Sequence, residues 1–149
     1  MTRSVRTWVR KAALAMTLVC AGAPASAWIA FNGMSTQTDP SRAGVFEVFH
    51  YPRAWSMDYW CAAGDHVFRG MGLRQNTRIY VVRGPGPSRI RPGRKSVIFT
   101  VAPDAEIAEL SKQNQGYSLT IEKPGYNQTS ALGRTRCRDS RRNLRGLPY

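Results

Sequence analysis

The two cysteines Cys61 and Cys137 restrict the fold of this chain more than any other sequence feature. A third cysteine, Cys20, lies in an N-terminal segment with the composition of a secretory leader, so cleavage would leave a single pair. In an oxidising compartment, such a pair most simply forms one disulfide. The bridge would close a loop of about 77 residues, which is worth about 4 kcal/mol in lost freedom of the unfolded chain. A free or intermolecular thiol and a catalytic thiol are the alternatives.

The leader prediction covers residues 1–27. Four cations and no acid precede the apolar run AALAMTLVCAGA, and small residues follow at Ala25 and Ala27. This pattern is typical of a signal peptide cleaved after Ala27. The run is too short to span a bilayer, which takes about 20 residues. We therefore expect a periplasmic or secreted protein with one domain over residues 28–139 and a basic, disordered tail over 140–149.

The charge balance of the remaining chain favours an anionic partner. Without the leader there are 18 Lys and Arg side chains against 9 Asp and Glu. An excess of this size attracts anionic surfaces but does not determine a fold. We expect an anionic component of the cell envelope or an acidic protein, because export argues against nucleic acid. The oligomeric state is left open.

Short strand patterns surround one main helix. The helix is predicted over 57–70 with Ser56 as a possible N-cap, and Trp60, Val67 and the following Met71 fall on one face of the pattern. Asp58 and Asp65 fall on the opposite face, which we expect to be exposed to solvent. These patterns predict an α+β fold, with a small antiparallel sheet of about five strands packed against the main helix and one disulfide. The strands are expected at 28–31, 45–51, 78–82, 96–101 and 117–122, with a second short helix from Pro103 to Gly116.

The residues that could carry chemistry do not form a recognisable catalytic or metal site. On the predicted helix His66 lies about 140° around the axis from Cys61, so it is badly placed as a base for that sulfur. The histidines are 16 residues apart and lack the spacing of zinc ligands. No catalytic residue, metal or cofactor is therefore predicted. Glu47 interrupts an apolar strand, and an edge-strand charge or an ion pair with an arginine explains it most simply.

The stretch RGPGPSRIRPGRK, residues 83–95, is the most informative surface feature. Its Gly and Pro residues predict a protruding loop that is neither helix nor strand. Guanidinium groups on a loop stiffened by proline suit phosphate or carboxylate. A solvated hairpin loop whose charges deter aggregation is the alternative. The candidate anion-binding residues are Arg83, Arg89, Arg91, Arg94 and Lys95.

Four stretches carry a resemblance: DYWCAAGD, RIYVVRGPGPSR, GRKSVIFTV and GYSLTIEKPGYN, together with the late Cys137. With these the chain resembles small exported proteins of alphaproteobacteria that carry no assigned function. The similarity spans residues 46–139. It implies export and the pairing of Cys61 with Cys137, and it implies no catalytic residue.

Two functions from different classes follow. The first is an exported, non-enzymatic binding or accessory protein whose basic loop contacts an anionic envelope component or a protein. The second is a small periplasmic hydrolase or lyase that uses His50 or Glu47, which requires these side chains to converge in a cleft.

Overall fold

The computed structural model describes residues 27–114, 116 and 118–146. The predicted signal peptide lies outside these residues apart from Ala27. In the described part of the chain, six antiparallel strands form one sheet in the order β1-β2-β3-β5-β4-β6. The predicted α+β class is confirmed, with one strand more than expected. The strands are β1 (Ala27–Ile29), β2 (Ser35–Thr38), β3 (Val45–Phe49), β4 (Arg78–Pro87), β5 (Lys95–Thr100) and β6 (Asn127–Thr129).

The main helix crosses one face of the sheet. α1 spans Ser56–Asp65 and continues into a π-helical turn over His66–Gly70, so the helix predicted over 57–70 is confirmed. Its N-cap is Trp55 rather than Ser56, and the carboxylate of Asp58 accepts a hydrogen bond from the Trp55 N–H at 2.6 Å. The core lies between α1 and the sheet, where Trp60 meets the Phe99 ring edge to face at 5.2 Å.

The C-terminal region covers the other side of α1. The predicted disordered tail, residues 140–149, is instead helical to Arg145 in α4 (Cys137–Arg145), which follows α3 (Ser130–Thr135); residues 147–149 of that tail lie outside the described part of the chain. The carboxylate of Asp58 accepts a hydrogen bond from the Asn143 side chain at 2.9 Å. Asp58 is fully buried and Asp65 is 2% exposed, so their predicted place on a solvent face is wrong.

The Cys61–Cys137 disulfide is present and joins α1 to the first residue of α4, with the two Cα atoms 4.9 Å apart. Both cysteines are buried. A disulfide of this kind is compatible with an extracytoplasmic location. Over residues 27–114, 116 and 118–146, no helix combines the length and the apolarity that crossing a bilayer would require.

Of two other predicted segments, the helix is confirmed and the strand is wrong. The second helix is confirmed as α2 (Ala105–Gln113), and the Asp104 carboxylate caps it by accepting from the Ile107 N–H at 2.9 Å. The strand predicted over 117–122 is wrong, because the described residues of that segment are irregular. There the Ser118 and Thr120 hydroxyls accept from the backbone N–H groups two residues on, which replaces a strand ladder. The connection expected between the first two strands contains β2.

Candidate functional site

The basic stretch 83–95 forms a hairpin that folds back against the sheet. Residues up to Pro87 belong to β4 and Lys95 begins β5, so the prediction of a loop without strand structure is wrong. The pairing of β4 with β5 shifts register twice, between Val81 and Arg83 and between Arg83 and Gly86. Such bulges increase the local twist and bend of a strand. We refer to residues 88–94, the connection between the two strands, as the hairpin tip.

A buried carboxylate fixes the hairpin tip. Glu47 lies in β3, between β2 and β5, and is 1% exposed. Its carboxylate accepts hydrogen bonds from the Ser88 hydroxyl at 2.6 Å, the Arg89 backbone N–H at 2.8 Å and the Ser96 hydroxyl at 2.7 Å. The predicted accounts of Glu47 as an edge-strand charge or an arginine ion pair are therefore wrong. Its negative charge is satisfied by hydroxyl and backbone donors.

Two of the five candidate cations are occupied within the protein. The Arg83 guanidinium donates to the Pro87 carbonyl, and the Arg91 Nε donates to the Gln37 side-chain oxygen at 2.6 Å. The Arg91 guanidinium also lies 4.8 Å from the centre of the Phe49 ring. Both arginines are only partly exposed, so they brace the hairpin more than they present charge.

The other three candidates, Arg89, Arg94 and Lys95, are exposed. Arg94 lies over the Phe49 ring at 5.4 Å, so its guanidinium is also held by an aromatic contact. The sequence gives no aromatic residue within the stretch 83–95. The fold supplies one, Phe49, from β3. In the sequence, the only indication of this contact is that Glu47 and Phe49 are two residues apart and therefore lie on the same face of the strand.

Arg94 and Lys95 lie at the edge of an open cleft of about 560 Å³. No carboxylate is among its lining residues, and Arg94 and Lys95 carry positive charge. The remaining lining residues are His50, Tyr59, Pro85, Gly93 and Ser96. We call this feature the basic cleft.

His50 and Tyr59 are the hydrogen-bonded pair among the residues that line the basic cleft. The His50 Nδ1 atom and the Tyr59 hydroxyl are 2.9 Å apart and share a hydrogen bond. Burial, with a smaller contribution from the charge of Asp58, raises the pKa of Tyr59 to about 12. Tyr59 therefore stays a neutral phenol at physiological pH and keeps an O–H donor. With the Arg94 and Lys95 cations, the cleft offers several donors to an anion.

The structure does not bring Glu47 and His50 into one cleft. The Glu47 carboxylate is buried beneath the hairpin tip, and Glu47 is not among the residues that line the basic cleft. The convergence that a hydrolase or lyase would need is thus not found for this pair. Cys61 is in the disulfide, so it has no free thiol. Within the described ranges, no three His, Cys, Asp or Glu side chains are placed to share a metal ion.

Comparison with known proteins adds no relative. No family model, curated protein or solved structure matches this chain. The resemblance to small exported alphaproteobacterial proteins therefore stays a prediction, and the function has to be argued from the basic hairpin and its cleft.

Proposed function

We propose that this chain is an exported, non-enzymatic binding protein whose basic hairpin holds a phosphate group of an anionic cell-envelope component. The basic cleft is where that group binds. Arg94 and Lys95 supply the charge, and the hydrogen-bonded pair of His50 and Tyr59 supplies a further donor. The disulfide supports the export part of the proposal, because such bridges persist in oxidising compartments.

One observation carries the binding part: the hairpin tip is fixed by the buried carboxylate of Glu47. A mobile loop of arginines would lose conformational freedom on binding, at about 0.5–1.5 kcal/mol for each immobilised side chain. Here the backbone of Arg89 is already held, and Phe49 already restrains the guanidinium of Arg94. Burying a carboxylate costs desolvation free energy. A loop that served only solubility would not need this cost, because its basic residues would not have to be held in place.

The cations at the edge of the basic cleft suit a phosphate group. The lining is polar or charged apart from Pro85 and Gly93, and the cleft is open to solvent. Arginine and lysine both bind phosphate oxygens through charge-assisted hydrogen bonds. The proposal requires affinity to fall with salt, since exposed charges are screened over about 8 Å at physiological ionic strength.

Inorganic pyrophosphate, measured by calorimetry at low salt, provides the test. The variant Arg94→Gln/Lys95→Gln should lose at least tenfold in affinity, which corresponds to about 1.4 kcal/mol. The matched control is Arg74→Gln/Lys112→Gln, which removes the same charge from exposed residues that do not line the basic cleft. The control should bind within a factor of about two of the wild type. Equal losses in both variants would mean that only net charge matters, and the proposed site would then be wrong.

A further inference from the structure

The outer face of α4 is a continuous arginine surface. At 100° per residue, the positions of Arg138, Arg141, Arg142 and Arg145 fall within a sector of about 100°. Cys137, Ser140 and Asn143 are buried on the inner side. The disulfide and the hydrogen bond from Asn143 to Asp58 fix the rotation of the helix, so the arginines face outward.

An exposed aromatic side chain lies among these arginines. Phe31 is 45% exposed and shares a groove of about 390 Å³ with all four of them. The Arg141 guanidinium lies 5.0 Å from the centre of the Phe31 ring and that of Arg69 lies 6.0 Å from it. Ile29, two residues earlier in the chain, is 63% exposed. We call α4 and Phe31 together the arginine–phenylalanine face.

Of two acidic residues at this face, Asp139 of α4 is exposed and Asp65 is neutralised internally. The Asp65 carboxylate accepts from the Phe31 backbone N–H at 2.9 Å and from the Arg69 Nε and Nη2 atoms, each at 2.7 Å. The Arg134 Nε atom is 4.0 Å from it. Asp65 therefore holds Phe31 in place beside α4 without presenting negative charge to solvent, and it raises the pKa of Arg69 through these hydrogen bonds.

We infer that the arginine–phenylalanine face docks the protein on a bilayer that contains anionic phospholipids. Guanidinium groups match the phosphodiester of a headgroup, and each cation near an anionic membrane is worth about 1 kcal/mol. An aromatic ring among the cations suits the interface, where the ring edge can enter the acyl boundary.

Other partners use only part of this face. A free phosphate or a charged polysaccharide would engage the arginines and leave Phe31 in water. A nucleobase would have to stack on the Phe31 ring, over which Arg69 and Arg141 already lie. A bilayer is the partner that uses the charges and the exposed Phe31 ring together. The inference does not depend on the basic cleft.

The test is co-sedimentation with vesicles of phosphatidylglycerol and phosphatidylcholine at low salt, compared with pure phosphatidylcholine. The wild type should bind only the anionic vesicles. The variant Arg138→Gln/Arg142→Gln/Arg145→Gln should lose about ten- to a hundredfold in partitioning, given three cations at the surface. Glutamine keeps the helix propensity of arginine, and the melting temperature of the variant verifies its fold. If this variant unfolds, the double variant Arg142→Gln/Arg145→Gln replaces it, with a loss of about tenfold expected.

The variant Arg74→Gln/Lys112→Gln/Lys123→Gln, at exposed positions that line neither the groove of α4 nor the basic cleft, is the charge-matched control, and it should keep most of the vesicle binding. A third variant, Phe31→Ala, should weaken vesicle binding severalfold and leave pyrophosphate affinity unchanged. Equal losses in the two triple variants, or no binding to anionic vesicles, would overturn the inference. Tighter binding of the wild type to a single-stranded oligonucleotide than to the vesicles, with the same dependence on Phe31, would overturn it in favour of nucleic acid. Failure of pyrophosphate binding alone would refute the basic cleft and leave this face unaffected.

Discussion

Replacing Glu47 tests whether a buried carboxylate holds the hairpin tip. Glu47→Ala removes the acceptor for three donors: the hydroxyls of Ser88 and Ser96 and the backbone N–H of Arg89. Glu47→Gln keeps the shape and one carbonyl oxygen and removes the charge. We expect both to lower the free energy of unfolding, Ala more than Gln.

The size of the effect follows from the burial of the three donors. Ser96 is 1% exposed, so its orphaned hydroxyl should cost about 1–3 kcal/mol. Ser88 and Arg89 are at least partly exposed and can bond to water, so each lost bond should cost about 1 kcal/mol. The desolvation cost of the buried charge disappears with it, which offsets part of the loss. We expect about 3 kcal/mol for Glu47→Ala and about 1 kcal/mol for Glu47→Gln.

The assay is urea unfolding followed by tryptophan fluorescence, with Glu122→Gln as the control for loss of a carboxylate. Glu122 is exposed, so its change should stay within about 0.5 kcal/mol. Amide hydrogen exchange over the hairpin tip should also become faster in Glu47→Ala. A Glu47→Ala protein as stable as the wild type, with unchanged exchange in the tip, would refute the role we give to Glu47.

Two further predictions concern the packing around α1. Burial lowers the pKa of His66 from 6.5 to about 4, and the charge of Asp65 acts in the opposite direction. As the pH falls, the unfolded chain therefore takes up the proton before the folded protein does. The free energy of unfolding should fall by about 3 kcal/mol between pH 7 and pH 4. Urea melts across this range should show a weaker dependence in His66→Gln, and an identical slope would contradict the assignment. Gly133→Ala should cost about 1–3 kcal/mol despite better helix propensity, because its Cβ would lie 2.5 Å from the Trp60 carbonyl oxygen. In Gly86→Ala the nearest atom would be 3.6 Å away, so a thermal melt that ranks the two variants equally would contradict this packing.

Apolar periodicity predicted the parts of the fold that an apolar core holds together. The main helix, with Trp60 and Val67 toward the sheet, and the strands that carry Phe46 and Phe99 were all expected from this pattern. Ile121, in the segment predicted as the strand 117–122, is buried. The backbone there is nevertheless irregular, because local hydroxyl acceptors compete with a strand ladder.

The helices of the C-terminal region were missed because their contacts are polar. The Ser140 hydroxyl accepts from Asn32 at 2.8 Å, Asn143 donates to Asp58, and the Ser130 hydroxyl donates to the Gly64 carbonyl at 2.8 Å. Small polar residues give no hydrophobic stripe, so the pattern resembled a disordered tail. With these helices unrecognised, Asp58 was assigned to a solvent face.

The basic site was predicted in part. The sequence indicated the five cations of residues 83–95 but not which of them the protein uses internally. Which cations are used internally depends on contacts between segments that are distant in the sequence, such as Arg91 with Gln37 and Arg94 with Phe49. The buried position of Glu47 beneath the hairpin tip could not be inferred from its place in an apolar strand alone.

The central claim, that the basic cleft binds an anion, is tested most directly by a nuclear magnetic resonance titration of the ¹⁵N-labelled protein with pyrophosphate. We expect saturable shifts that are largest for His50, Arg94 and Lys95 and that disappear at high salt. Shifts spread evenly over all exposed arginines, or none in the cleft at saturating pyrophosphate, would contradict the account.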